Sequence, residues 1–242
     1  MTVGTYNIHH GAPIGKQLPQ LRATEHAVAN LQVDILALQE VDHRASRTYR
    51  QNQTGRLAKA ANLQPIFMPV KRMAGGWYGI SLLTKGPLLA YQMMQLPVTR
   101  GREQRGAILF SYQLGDQVIS GAATHLQAVK PSERHRPEAA SQLKALLSEL
   151  MKWPGPHLIL GDFNLRPEAA IPILDAFGFT HSPSEPTFPS TKPTIKIDWI
   201  ATKGLDVSSG EVGTTMASDH RPLTARVSLP IGSPHPLPNA RS

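Results

Sequence analysis

Apolar and polar positions alternate along the chain with two different periods. VDILALQ (33–39) and HLILGDF (157–163) are nearly continuous apolar runs, as expected of strands covered on both faces. VGTYNI (3–8) and the segments 65–70, 80–84, 195–202 and 223–229 read as further strands. Residues 106–114 and 117–125 flank Gly115-Asp116, a turn signal, and predict a hairpin. Elsewhere the spacing becomes helical. Leu21, Ala27, Val28 and Leu31 predict a helix over 18–31. Ala139, Leu143, Leu146, Leu147 and Leu150 form the stripe of a helix over 132–153, with Ser132 as its cap and Pro137 in its first turns. Shorter helices are predicted over 55–62 and 167–177. Strands interleaved with helices and a hairpin predict an α/β protein with mixed sheets, not a purely parallel one. No repeat or composition break marks a second domain, so residues 1–229 read as one domain and the Pro-rich 230–242 as a loose tail.

Composition narrows the chemistry. A chain of 242 residues has no need of staples to hold a core. It has no cysteine, which excludes disulfide scaffolds, thiolate zinc sites and cysteine nucleophiles. No apolar run approaches the length of a membrane span, and the N-terminus lacks a basic segment followed by an apolar one. The expectation is a cytoplasmic monomer without an integral membrane segment. The formal net charge of +8 favours an anionic partner.

The polar residues at the ends of the apolar strands carry the candidate chemistry. Asn7 ends the first strand, Gln39-Glu40 the second, Thr124-His125 the return strand of the hairpin and Gly161-Asp162-Phe163-Asn164 the strand after the long helix. Asp198 sits inside KIDWIAT, and Ser218-Asp219-His220 precedes the last strand. A carboxylate in or beside a buried strand is costly unless it is paired or holds a cation. Any one of these residues alone reads more simply as a cap, a turn residue or a structural histidine. Their joint occurrence points to one site, if the strand ends converge.

Those segments carry a resemblance. TYNIHHG (5–11), LALQEVD (36–42), WYGISLLTK (77–85), RGAILF (105–110), ATHLQ (123–127), LILGDFNLRP (158–167), KIDWIAT (196–202) and ASDHRPL (217–223) resemble, in order, the motifs of the endonuclease/exonuclease/phosphatase superfamily, the DNase I-like phosphoesterases. The resemblance implies a four-layer αββα sandwich of two mixed β-sheets flanked by helices. It also implies residue roles. Glu40 matches the principal metal-binding carboxylate, with Asn7 beside it and Asp219 as a further ligand. Asp162 and Asn164 match a pair that orients water and holds phosphate. Asp198 and His220 match an Asp–His pair whose histidine serves as base or as phosphate clamp, and His125 matches a position that contacts the phosphate or helps the leaving group depart. Oxygen ligands favour Mg²⁺ or Mn²⁺, one ion or two, over zinc.

Supporting residues keep two readings each. His9 follows Asn7 by two and shares its face if the strand continues, where it would touch metal or phosphate, or simply pack. His10 would then point away. Arg105 either clamps a phosphate or pairs with a carboxylate. Asp42 is read as an anchor behind the site, and Gly79 as a point of close backbone approach or strand packing. No GxSxG elbow, GxxxxGK[ST] loop or GxGxxG fingerprint is present.

The positive charge is clustered. Three segments, 42–59, 99–105 and 130–136, hold Arg44, Arg47, Arg50, Arg56, Lys59, Arg100, Arg102, Arg105, Lys130, Arg134 and Arg136, which is 11 of the 25 basic residues. Basic loops at the mouth of a phosphoesterase would steer an anion inward. Trp77 and Tyr78, read as part of a glycine-rich loop before a motif strand, either stack on a base, contact a lipid or pack. The leading expectation is a Mg²⁺- or Mn²⁺-dependent phosphoester hydrolase, a phosphodiesterase with nuclease-type activity on an anionic substrate such as nucleic acid. The alternatives are a phosphatase or headgroup phosphodiesterase acting on a phosphoinositide, sphingomyelin or a sugar phosphate, and a non-catalytic phosphate-binding protein.

Overall fold

The computed structural model describes residues 1–15, 18–128 and 138–230. Two mixed sheets stack face to face with two helices outside each, giving the four-layer αββα sandwich. The first sheet contains β1 (Thr2–Asn7), β2 (Ile35–His43), β3 (Gln64–Met73), β4 (Gly76–Thr84), β11 (Asp206–Val207), β12 (Glu211–Val212) and β13 (Leu223–Ser228). Its order is β11-β13-β1-β2-β4-β3, with β12 also paired to β13. The second contains β5 (Ala90–Gln95), β6 (Gly106–Leu114), β7 (Gln117–His125), β8 (His157–Asp162), β9 (Thr180–His181) and β10 (Asp198–Lys203), in the order β5-β6-β7-β8-β10-β9. Among the described residues each sheet has one parallel pair, β1 with β2 and β7 with β8, and every other pairing is antiparallel. A parallel pair needs a crossover. α1 (Leu21–Asn30) supplies one, and α3 (Glu138–Leu150) lies in the other.

Burial follows the predicted pattern. Between the sheets lie Val3, Ile35, Ala37, Ile108, Phe110, Leu158, Leu160 and Ile200. α1 and α2 (Gln53–Ala61) cover the first sheet through Leu21, Val28 and Leu57. α3 and α4 (Pro167–Ala176) cover the second. The α3 stripe Leu143, Leu146, Leu147 and Leu150 is wholly buried, and each such side chain stabilises the fold by about 1.5–3 kcal/mol. Among the described residues no helix is long and apolar enough to cross a membrane.

Several boundaries differ from expectation. The first helix begins at Leu21, after Pro19, and leaves Leu18 exposed. α2 starts earlier than predicted because Asn52 caps it, accepting the Gly55 N–H at 3.0 Å. Residues 76–79 of the glycine-rich stretch are strand, not loop, and Ala74-Gly75, both at positive φ, form the two-residue turn of the β3–β4 hairpin. β5 carries no strand signal in the sequence because its side chains are mostly exposed and show no alternation. Residues 195–197 make only an isolated bridge, so the strand predicted from 195 begins at Asp198. The cap and first turns predicted at Ser132 and Pro137, and the tail beyond Pro230, lie outside the described residues.

Candidate active site

The chain brings the polar strand ends to one place. β1 ends at Asn7, paired with Gln39 of β2, and β7 ends at His125, paired with Asp162 at the end of β8. β10 runs antiparallel to β8 and opens with Asp198 opposite Asp162. The site therefore sits at the carboxyl ends of the parallel pairs, where open α/β sheets bind ligands. Two backbone irregularities aim the side chains. The β2–β4 register shifts between Leu38 and Val41, and Glu40 at φ +58° leaves the strand alternation there. Gly161 has φ +155°, and a Cβ on it would stand 2.1 Å from the Thr124 carbonyl oxygen. Only glycine lets β7 and β8 close up and set His125 beside Asp162.

The side chains converge on Oδ2 of Asp162. Asn7 Nδ2 donates to it at 3.0 Å, His125 Nε2 lies at 3.4 Å and His220 Nε2 at 3.8 Å. Its other oxygen accepts the Asn164 N–H at 2.9 Å. Asn7 Nδ2 also donates to Glu40 Oε1 at 3.2 Å, while Asn7 Oδ1 accepts the His9 N–H at 3.0 Å. Asn7 thus joins the two carboxylates, and its oxygen is occupied by the chain. His220 Nδ1 is 2.8 Å from Asp198 Oδ2, which also accepts from Thr187 Oγ1. Arg105 Nη1 lies 3.1 Å from His125 Nδ1. A guanidinium can only donate, so Nδ1 accepts and the proton of the neutral ring is on Nε2, facing Asp162. Asn164 Nδ2 donates to the Leu126 carbonyl at 3.1 Å, which commits one amide hydrogen to the backbone. Ser218 Oγ donates to the Asn7 carbonyl at 2.7 Å and holds the Asp219–His220 turn against β1.

Burial and neighbouring charge set the protonation states. Burial first, and then the adjacent Asp198, push Asp162 up to about 7. Burial alone would lower His220, but the attraction and hydrogen bond of Asp198, with Asp162 and Asp219 beyond, raise it to about 10. Burial, Arg105 and His220 push His125 well below the ordinary histidine value. The site thus pairs a carboxyl group that titrates near neutrality with a fixed imidazolium and a neutral imidazole. Such a set can take a proton from water and donate hydrogen bonds to an anion.

Among the described residues, two groups of side chains bring ligand atoms within 4.8 Å of one another: His9–His10–Glu40 and Asp162–Asp198–His220. In the second, both His220 nitrogens already face carboxylates, which suits proton handling better than metal ligation. The first is open to an ion. Glu40 is steadied through one oxygen, and His9 Nδ1 gives its hydrogen to the Ala12 carbonyl at 3.1 Å, leaving Nε2 as a lone pair. Asp219 belongs to neither group, and its Oδ1 lies 3.1 Å from Ser218 Oγ. The expectation that His10 points away is overturned. β1 stops at Asn7, and His9 and His10 turn at φ +44° and +46°, which keeps both rings by Glu40.

A profile of the Endonuclease/Exonuclease/phosphatase family matches residues 4–220. The chain belongs to the Endonuclease/Exonuclease/phosphatase family. It is 29% identical over 248 residues to Uncharacterized protein YbhP of Escherichia coli (strain K12), covering 93% of this chain and 95% of that protein. Solved structures share the fold. The family protein from Leptotrichia buccalis has TM-score 0.75 at 14% identity, covering 95% of this chain and all of its own, 100%. The human Nocturnin catalytic domain with bound sulfate anion has TM-score 0.73 at 21% identity and covers 94% of both chains.

Around this Endonuclease/Exonuclease/phosphatase centre stand residues that strand-end reading did not select. Thr187 fixes Asp198. Glu103 joins Lys71 to Arg105, whose Nη1 lies 3.0 Å from it. Tyr78, only 6% exposed, lies under the Lys71 ammonium at 4.9 Å, and Glu40 and Arg105 act on it electrostatically. It packs inside the site and offers no face for base stacking. The register Lys71↔Tyr78↔Asp42 brings these residues together, and no local motif announces it. A Cβ on Gly79 would stand 1.9 Å from the Met68 carbonyl oxygen, which makes that glycine a strand-packing requirement.

The basic rim is partly neutralised. Arg47 makes a two-pronged bond to Asp42 at 2.7 and 2.8 Å, Arg56 binds Glu25 at 2.7 and 3.0 Å, and Arg102 lies 3.2 Å from Glu138. Arg56 and Lys59 ride on α2 and are not in a loop. Arg44, Arg50, Lys59 and Arg100 are exposed. Lys130, Arg134 and Arg136 lie outside the described residues.

Proposed function

We propose that this chain is a divalent-metal-dependent phosphoester hydrolase acting on phosphodiesters, nucleic acid among them, with residues 1–229 working as one catalytic domain. The observation that carries the reading is the convergence of Asn7, His125 and His220 on Oδ2 of Asp162, beside the ligand set around Glu40. Membership of the family supports it, and so does the sulfate held by the Nocturnin domain, since sulfate has the shape and charge of a phosphate.

Asp162 takes the proton of the attacking water. Its raised proton affinity suits that task near neutral pH. His220, held by Asp198 and charged, donates from Nε2 to a phosphoryl oxygen. His125 donates from Nε2 as a neutral group, its tautomer fixed by Arg105. Asn7 aligns Glu40 with Asp162, and Asn164, with one amide hydrogen committed to Leu126, would hold phosphate through the other. Glu40 would hold a divalent ion such as Mg²⁺ or Mn²⁺, which would supply charge neutralisation at the phosphate and at the leaving oxygen. The test is hydrolysis of bis(p-nitrophenyl) phosphate before and after chelation. Turnover that needs added divalent ion and is lost in Glu40→Gln and His220→Ala supports the reading. Metal-independent turnover, or full activity in either variant, overturns it.

A further inference from the structure

We propose that the ion at Glu40 is a transition metal held by His9, His10 and Glu40 together, with Mn²⁺ or a later first-row ion preferred over Mg²⁺. This inference rests on the reading of Glu40 as a metal ligand. It does not depend on which bond is hydrolysed.

Four observations carry it. First, ligand atoms of the three residues lie within 4.8 Å of one another. Second, the backbone is strained at all three: His9, His10 and Glu40 have φ of +44°, +46° and +58°. Such conformations cost on the order of 1–3 kcal/mol each and persist where something else over-determines them. A strand continued straight from Asn7 would have separated the two rings. Third, His9 Nδ1 donates to the Ala12 carbonyl, so Nε2 is the free nitrogen. Metal-binding histidines commonly donate their second N–H to a backbone carbonyl, which fixes tautomer and aim. Fourth, Nδ1 of His10 is buried with no hydrogen-bond partner. A buried nitrogen left so is destabilising, and coordination would satisfy it.

The donor chemistry decides the metal class. Expecting a hard ion assumed an all-oxygen set. The cluster offers two imidazoles and one carboxylate. Mg²⁺ holds to oxygen and keeps its water, whereas imidazole affinity rises along the first transition row from Mn²⁺. The Asn7 bond occupies one Glu40 oxygen and leaves the other for the ion.

The experiment is direct metal binding to the full chain after chelation and dialysis, without substrate. Calorimetric titration with Mn²⁺ and with Mg²⁺ gives the preference, and Co²⁺ absorption reports nitrogen ligation. Asparagine tolerates positive φ, so His9→Asn and His10→Asn remove the imidazole and keep the backbone, which circular dichroism would verify. The expected result is Mn²⁺ binding about 100-fold tighter than Mg²⁺. Each Asn variant should lose about 10- to 100-fold in Mn²⁺ affinity with Mg²⁺ nearly unchanged, and Co²⁺ bands should weaken in both. Equal affinity for Mg²⁺ and Mn²⁺, Co²⁺ bands indifferent to both substitutions, or no binding at all would overturn the proposal. Failure of hydrolysis with intact Mn²⁺ selectivity would instead strike the functional reading alone.

Discussion

Asp162 is the residue whose surroundings bear most on the role proposed for it. Three donors face one of its oxygens, yet burial and Asp198 keep its proton affinity high. As the pH falls through about 7 the carboxylate protonates and can no longer take a proton from water, so the rate should fall on the acid side. Asp162→Asn should lower kcat by about 10²- to 10⁴-fold and remove that limb from the pH–rate profile. An unchanged limb would place the base elsewhere. His125 acts on the same acid side, but on stability rather than rate. Its folded proton affinity is depressed, so the unfolded chain binds the extra proton. Stability is therefore complete above the unfolded value near 6.5 and lost as pH falls below it, by at most about 1.4 kcal/mol per pH unit. Urea unfolding at successive pH values should show a flatter acid side in His125→Gln than in the parent. Asp162, His125 and His220 were legible in the sequence because each ends a strand or precedes one. Thr187 and Lys71 were not, since a loop contact and sheet register give them their parts, while Tyr78 was legible only as a residue that stacks or packs.

At the scale of elements, periodicity located the buried strands and the α3 stripe. It failed where the signal is inherently faint. β5 is an exposed edge with no alternation, and the β4 glycines mimic a loop while serving a close backbone approach. The His9–His10 turn shows the same limit: a strand period continued to His10 runs three residues past Asn7, where the strand stops. Gly161 links element to site. In Gly161→Ala the new Cβ would meet the Thr124 carbonyl oxygen, so β7 and β8 must part. The expected cost is about 1–3 kcal/mol of stability, with a larger loss of activity than stability, because the pair His125–Asp162 spans that seam. A variant as active as the parent in a standard assay would show that the seam has room.

For the whole molecule, the two sheets supply different parts. The first brings Asn7, Glu40 and the two turn histidines, and the second brings His125, Asp162 and Asp198. Charge acts at this scale too, but less freely than its total implies, since Arg47, Arg56, Arg102 and Arg105 are paired. If nucleic acid is a substrate, exposed Arg44 and Arg50 are the better contacts. Arg44→Gln and Arg50→Gln should each reduce the salt slope of nucleic-acid binding by about 0.9 and leave hydrolysis of a small chromogenic diester unaltered. An unchanged slope would remove those residues from the path of the substrate.

Asn7 gives its two amide hydrogens to two carboxylates, one rooted in each sheet. Aspartate has the same outline, differing by the exchange of NH₂ for oxygen, yet it would set a third acid between two others and remove both bonds. Shape therefore cannot be what the position selects. It reads the sign of a dipole, and a single deamidation there would turn the clasp between the sheets into a wedge.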